Sequence, residues 1–165
     1  MTTDARSPVK KIRVLMVCLG NICRSPSAEA MLRKKARDAG LGAVVEVDSA
    51  GTADYHVGAP PDRRSIAHGE RRGLAMKGLR GRQVKAHDFE RFDVVFAMDA
   101  ANLASLKRLR PEDSHARVGL FMDCAPQAGT REVPDPYCGD AADFERVLDL
   151  VDAASTGFLE SLKSR

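Results

Sequence analysis

Tryptophan is absent from the 165 residues, tyrosine occurs twice, and aromatics make up only 5% of the chain. With so few, any tyrosine that falls in a loop becomes informative. Four cysteines are too sparse for a disulfide scaffold. No apolar run approaches the ~20 residues a membrane helix needs. The start, MTTDARSPVKK, lacks the apolar stretch of a signal peptide, so a cytoplasmic protein with no membrane association is expected. A net charge of +3, from 26 Lys+Arg against 23 Asp+Glu, is too small to argue for nucleic acid. His56, His68, His87 and His115 are scattered without ligand spacing, so neither a metal nor a cofactor is expected. What is present is a 44% hydrophobic fraction and 30% charge, which excludes a disordered chain and suits a globular one. That length suits one domain burying roughly 70% of the surface its unfolded chain exposes.

Residues 1–10 are polar and without periodicity, and predict a loose tail; residues 11–165 show no repeat and no linker that would divide them. KIRVLMVC runs apolar from Ile12 to Cys18 apart from Arg13, which suits a strand buried on both faces. Val44–Ala50, Phe92–Met98 and Arg117–Met122 are three further strand candidates. Between the strands lie helical spacings. Ala28, Met31, Leu32, Ala36 and Ala39 share one face and stop at Gly40, and Asp99–Leu109 reads as a helix capped by Asp99. Phe144, Val147, Leu148, Val151, Phe158, Leu159 and Leu162 share a face near the end. Strand and helix alternate, which predicts an α/β fold: three α/β/α layers around a four-stranded parallel sheet. In such sheets the site forms at the carboxyl ends of the strands, near the switch in strand order. The loop after the first strand is therefore the place to look.

That loop reads Cys18-Leu19-Gly20-Asn21-Ile22-Cys23-Arg24-Ser25, followed by Pro26. Proline at a first helical position, with Ser25 as N-cap, predicts a helix start there. A tight loop running into a helix N-terminus can turn several N–H groups toward an anion, and the helix dipole favours one. Gly20 and Asn21 tolerate the left-handed backbone of a tight curl. Arg24 adds a planar fork for two phosphate oxygens. The same field would hold Cys18 as a thiolate, with the Ser25 hydroxyl donating to the sulfur. Attack on phosphorus would give a cysteinyl-phosphate, with Arg24 and the loop amides stabilising the transition state. A cysteine ending a buried strand is usually packing, and C-x5-R alone is weak. Its place after the first strand, Gly-Asn within and Ser-Pro behind reverse that judgement. The P-loop lysine of nucleotide-binding proteins is missing, which disfavours a nucleotide site.

VCLGNICRSPSAEA at Val17–Ala30 closely resembles the signature of the low-molecular-weight protein tyrosine phosphatases. Asp48–Thr52 (DSAGT), Ala97–Leu106 (AMDAANLASL) and Asp135-Pro136-Tyr137 resemble the family's other segments, so the similarity runs along nearly the whole chain. The resemblance implies a metal-independent enzyme hydrolysing phosphotyrosine and small aryl phosphates. Cys18 would be its nucleophile, Arg24 its phosphate clamp, Ser25 the thiolate donor and Asp135 the general acid. Asn21 and Ser49 would brace the loop. Its partner would be a tyrosine-phosphorylated protein, with a cognate tyrosine kinase upstream, and a mostly monomeric state is expected.

The residues can be read beside the resemblance. Expelling a phenolate requires a proton donor, and the loop holds no acid. Asp135, between Pro134 and Pro136 in the irregular stretch Met122–Gly139, is the best candidate. An Asp-Pro turn is its plainer reading, and Asp99 is the runner-up acid. Tyr55 and Tyr137 fall in loops at the same end of the sheet and suit the walls of an aryl pocket. Ile22 could touch the ring; relatives that favour phosphoarginine carry threonine there. Cys138 stands where many relatives have a second tyrosine, and no histidine stands near Leu79 to support Asn21. Cys23 is either a small buried side chain or a partner that oxidised Cys18 could bridge, and the resemblance tips toward the redox role. Cys124 reads as inert. The basic stretch Arg63, Arg64, Arg71, Arg72, Lys77, Arg80, Arg82 and Lys85 reads as a solvated face. An arsenate reductase is disfavoured, because no cysteine lies between Cys23 and Cys124. A non-catalytic anion-binding or redox-sensing module predicts binding without turnover.

Overall fold

The computed structural model describes residues 10–163. The tail expected over residues 1–10 therefore lies, apart from Lys10, outside the described residues. The elements are β1 (Ile12–Cys18), α1 (Arg24–Asp38), β2 (Val45–Gly51), α2 (Arg63–Glu70), α3 (Asp88–Arg91), β3 (Val94–Ala97), α4 (Ala100–Leu109), β4 (Arg117–Leu120) and α5 (Ala141–Lys163), with short 3-10 turns at Phe121–Cys124 and Pro126–Ala128. The sheet runs β2-β1-β3-β4 and every pairing is parallel.

Because β1 is central, its two faces feed two cores. Val14, Met16 and Cys18 join Ala28, Met31, Leu32 and Ala36 of α1 and Val147, Leu148, Val151 and Phe158 of α5. Leu15 and Val17 face Phe89, Phe92, Val95, Leu106 and Leu120 on the other side. Helices thus cover both faces, as the apolar run of β1 requires, and each large side chain buried this way contributes about 1.5–3 kcal/mol. α1 stops where expected: Gly40 adopts φ 76°, and the Leu41 N–H donates to the Ala36 carbonyl at 2.7 Å, a left-handed C-terminal cap. α5 is pulled close to the turn after β4. A methyl group at Gly157 would sit 1.9 Å from the Cys124 carbonyl oxygen, so only glycine fits.

Strands β3 and β4 are shorter than their apolar patterns suggest. β3 begins at Val94, since Phe92 ends α3 as its C-cap. Chain past Leu120 stays apolar but curls into the 3-10 turn, where Phe121 and Met122 are buried against α5 without a strand partner. The basic stretch is not simply solvated. Arg72 bridges Glu145 and Asp149 on α5, and Arg82 bridges Asp48 and the fully buried Asp88. Among the described residues, no helix is long and apolar enough to cross a membrane.

β1 is the switch in strand order: the chain leaves it for β2 on one side and later returns to β3 on the other. The carboxyl ends of β1 and β3 therefore frame a crevice. Cys18 closes the first, and Asp99 follows the second.

Candidate active site

Residues 18–25 leave β1 and curl into α1. Asn21 carries the curl, with φ 58°, a conformation its short polar side chain tolerates. Gly20 does not take a positive φ. Its need is space, since a methyl group there would come within 3.1 Å of the His56 ring. Gly51 is constrained in the same way: a methyl group would lie 2.7 Å from the Leu19 carbonyl oxygen, so β2 can pass behind the loop only as glycine. Backbone bonds from Thr52 to the Cys18 carbonyl, Ala53 to Leu19 and Asp62 to Ile22 hold the loop at 2.9, 3.0 and 2.7 Å.

The helix starts two residues earlier than Ser25 as N-cap would require. Arg24 is already helical, and Cys23 stands at the N-cap without a side-chain cap. Ser25 faces the sulfur instead: its Oγ lies 3.1 Å from Cys18 Sγ. A helix end without a side-chain cap keeps its N–H groups available to an anion. The Asn21 backbone N–H also donates to Sγ, at 3.3 Å. Two hydrogen-bond partners thus converge on a sulfur that is almost fully buried yet lines the cleft.

Arg24 is 4% exposed and is held by both neighbours of the crevice. Its Nη1 donates to Asp99 Oδ2 at 2.6 Å and to the Val133 carbonyl at 3.1 Å, and Nη2 lies 3.7 Å from Asp135 Oδ2. Burial works against its charge, but Cys18, Asp99 and Asp135 outweigh that, and the guanidinium is held above its ordinary range. Asp99 does cap α4, accepting from the Asn102 N–H at 2.8 Å. Its other oxygen is the clamp on Arg24, which sequence reasoning missed. The only signal was a carboxylate at the end of a strand beside the motif.

Asp135 stands at the mouth, 47% exposed, and its Oδ1 accepts from the Tyr137 N–H at 3.1 Å. The segment carrying it is tied to β3 by the Val133 N–H on the Met98 carbonyl at 2.8 Å. Cys18, Leu19, Gly20, Ile22, Cys23, Arg24, Tyr55, Asp135 and Tyr137 line one cleft of about 210 Å³, together with His56. His56, which has no ligand spacing to the other histidines, lies over Gly20, a placement that spacing does not reveal. Tyr55 and Tyr137 are 72% and 50% exposed, as walls at a mouth would be. Tyr137 is pinned from below by Arg64, whose Nη2 donates to the Tyr137 carbonyl at 2.9 Å while its guanidinium lies 5.6 Å from the ring centroid. That arginine was also missed, being one of many in the basic stretch.

Asn21 and Ser49 meet behind the loop. Asn21 Nδ2 donates to Ser25 Oγ at 2.8 Å and to Ser49 Oγ at 3.0 Å, and the Arg82 backbone N–H donates to Asn21 Oδ1 at 3.0 Å. A backbone donor thus supports Asn21 where some relatives use histidine. Burial pushes the Cys23 thiol up to about 12, against a smaller opposing hydrogen bond from Ser65. It stays protonated at neutral pH. Cys124 behaves alike, raised by burial to about 11, while Cys138 is exposed.

A cysteine sulfur, an arginine and a carboxylate around one cleft suit displacement at a tetrahedral oxyanion. Comparison with known proteins agrees. The family model described as low molecular weight phosphotyrosine protein phosphatase matches residues 13–165. A low molecular weight protein-tyrosine-phosphatase of Streptomyces coelicolor is 45% identical, over 93% of this chain and 94% of its own. The Schizosaccharomyces pombe low molecular weight phosphotyrosine protein phosphatase is 43% identical, over 93% and 98%. A crystal structure of protein tyrosine phosphatase from Entamoeba histolytica superposes with a TM-score of 0.89 at 38% identity, covering 93% of this chain and 98% of that one. With the motif, the sheet order and these likenesses in agreement, the chain belongs to the low molecular weight phosphotyrosine protein phosphatase family of enzymes.

Proposed function

We propose that the protein hydrolyses phosphotyrosine in proteins, and small aryl phosphates, through a cysteinyl-phosphate on Cys18. One observation carries the reading: Cys18 Sγ accepts from the Asn21 N–H and is hydrogen-bonded to the Ser25 hydroxyl, while Arg24 and Asp135 face the same cleft. In the first step the sulfur attacks phosphorus and the P–O bond to the aryl group breaks. Asp135 gives its proton to the departing phenolate oxygen, and Arg24 with the loop amides takes up the charge on the equatorial oxygens. In the second step Asp135 accepts a proton from water, the water oxygen attacks phosphorus, and the S–P bond breaks to free phosphate and restore the sulfur anion. Arg24, clamped by Asp99, enters both steps already oriented.

The aryl preference rests on the walls. Tyr55, Tyr137 and Ile22 all line the cleft, so a flat ring gains apolar contact that a serine or threonine phosphate cannot make. A matched pair of peptides tests this: kcat/KM for the phosphotyrosine peptide is expected to exceed that for its phosphoserine counterpart by about 10³-fold or more, two wall contacts plus a better leaving group. Equal rates would remove the tyrosine assignment. Asp135→Asn keeps the shape and removes the proton. Its kcat on phosphotyrosine peptide should fall about 10²–10⁴-fold, and far less on an ester whose leaving group needs no proton. A uniform loss across leaving groups would assign Asp135 another role.

The bridge between Cys18 and Cys23 belongs to the same proposal. Peroxide would convert the Cys18 sulfur to a sulfenic acid, which would then condense with the Cys23 thiol and release water. Non-reducing peptide mapping after peroxide reads it. A Cys18–Cys23 crosslink is expected, and sulfinic acid at Cys18 beside free Cys23 would contradict it.

A further inference from the structure

The hydrogen bonds behind the phosphate loop run in one direction. Ser49 Oγ donates its single proton to Glu29 Oε1 at 2.6 Å, and so accepts from Asn21 Nδ2 at 3.0 Å. The other Nδ2 proton goes to Ser25 Oγ at 2.8 Å. Ser25 is thereby left to donate, and its nearer acceptor is Cys18 Sγ at 3.1 Å, against 3.4 Å to the Ala50 carbonyl. The Asn21 amide cannot turn over, because its oxygen accepts from the Arg82 N–H.

What sets the direction lies at the far end. Glu29 is 3% exposed and sits on α1, behind the loop and outside the cleft. One turn further along, Arg33 Nη2 donates to Glu29 Oε2 and, at 2.7 Å, to the Val47 carbonyl. Arginine donates and never accepts, so Oε2 is committed to Arg33 and Oε1 is left to take the Ser49 proton.

We propose that Glu29 and Arg33 are positioning residues that orient every proton in the chain Ser49–Asn21–Ser25, so that the Ser25 hydroxyl points at the Cys18 sulfur. Burial lifts the Glu29 carboxyl above its ordinary range, and the Ser49 and Arg33 hydrogen bonds offset part of that lift. Arg33 therefore supports the charged carboxylate that the direction requires. The consequence for turnover rests on the cysteinyl-phosphate reading; the orientation itself is a property of the free enzyme.

Glu29→Gln tests it at nearly constant shape. Arg33 would draw the new amide oxygen to itself and turn the amide nitrogen toward Ser49. Ser49 Oγ has two partners, Glu29 and Asn21. Refused by the amide, its proton would turn toward Asn21 and displace the Nδ2 bond. In the double variant Glu29→Gln with Arg33→Met, the amide oxygen is free to face Ser49 and the original direction returns. The readouts are iodoacetamide alkylation of the Cys18 peptide in mildly acidic buffer, followed by mass spectrometry, and kcat/KM on p-nitrophenyl phosphate. Both are expected to fall about tenfold in Glu29→Gln, the size of one hydrogen bond to a charged group, and to recover most of that loss in the double variant. A packing role predicts the reverse, with the double variant slower than the single one. That result overturns the proposal, as does parent-like alkylation in Glu29→Gln, whatever its melting temperature. If alkylation follows the expected pattern while the parent turns over no aryl phosphate, the orientation stands and the phosphatase reading fails.

Discussion

Replacing Cys18 with serine is expected to take p-nitrophenyl phosphate turnover to background, a loss on the order of 10⁶-fold in kcat, the scale on which a missing nucleophile is felt. The geometry says why a hydroxyl will not substitute. The hydrogen bonds at Cys18 Sγ are made with the Asn21 N–H and the Ser25 hydroxyl, neither of which is a base. They suit a nucleophile that arrives as an anion, which a thiol readily becomes and a hydroxyl does not. The variant keeps the side chain's shape, so Arg24 and the loop should still hold phosphate, read as a rise in melting temperature with added phosphate. Parent turnover is expected to survive excess EDTA. Turnover in Cys18→Ser within about tenfold of the parent would remove covalent catalysis from the account.

The second large effect is at Arg24. Arg24→Ala is expected to lower kcat about 10³–10⁵-fold, the range set by arginines that neutralise a transferring phosphoryl group. It should also destabilise the fold. The Arg24 side chain is 4% exposed and Asp99, its partner at 2.6 Å, is 24% exposed, so removing the cation strands a part-buried carboxylate. Breaking such a pair costs about 3–5 kcal/mol when both partners are deeply buried, and less here because Asp99 reaches solvent. The two effects separate in the double variant Arg24→Ala with Asp99→Asn, which removes the carboxylate charge and keeps an N-cap for α4. Melting temperature should largely return, because no unpaired charge remains, while turnover stays lost. Turnover that recovered along with stability would mean that Arg24 serves the fold alone. Its other bond, to the Val133 carbonyl at 3.1 Å, also predicts that the segment carrying Asp135 loosens in the single variant.

Much of the site was legible because it is local. Cys18 and Ser25 are seven positions apart, and the strand end, curl and helix start follow from an apolar run, a Gly-Asn pair and a Ser-Pro pair. The sheet was legible for a related reason: β1 is buried on both faces from Val14 to Cys18 and reads as continuously apolar there. The strand ends were less so. Phe92 and Phe121 continue apolar patterns but pack from a helix end and a 3-10 turn, and burial alone does not separate these from strand. Ser25 was misplaced as a cap because its hydroxyl had a competing use, on the sulfur and Asn21. What sequence could not show is distance in the chain made short in space. Asp99 reaches Arg24 across 75 positions and Arg64 reaches Tyr137 across 73. His56 lies over Gly20 because a loop returns there. Nothing in the pattern of charges marks Arg64 and Arg82 as structural among so many basic neighbours.

The account stands on a phosphoryl group passing through one sulfur. Enzyme caught by acid quench during turnover of an aryl phosphate, then digested and read by mass spectrometry, tests that directly. The phosphoryl mass increment is expected on the peptide carrying Cys18, at a level that rises and decays with the substrate, and is expected to be absent from Cys18→Ser. Full turnover with no phosphoryl group on that peptide, or an increment that persists in Cys18→Ser, would contradict it.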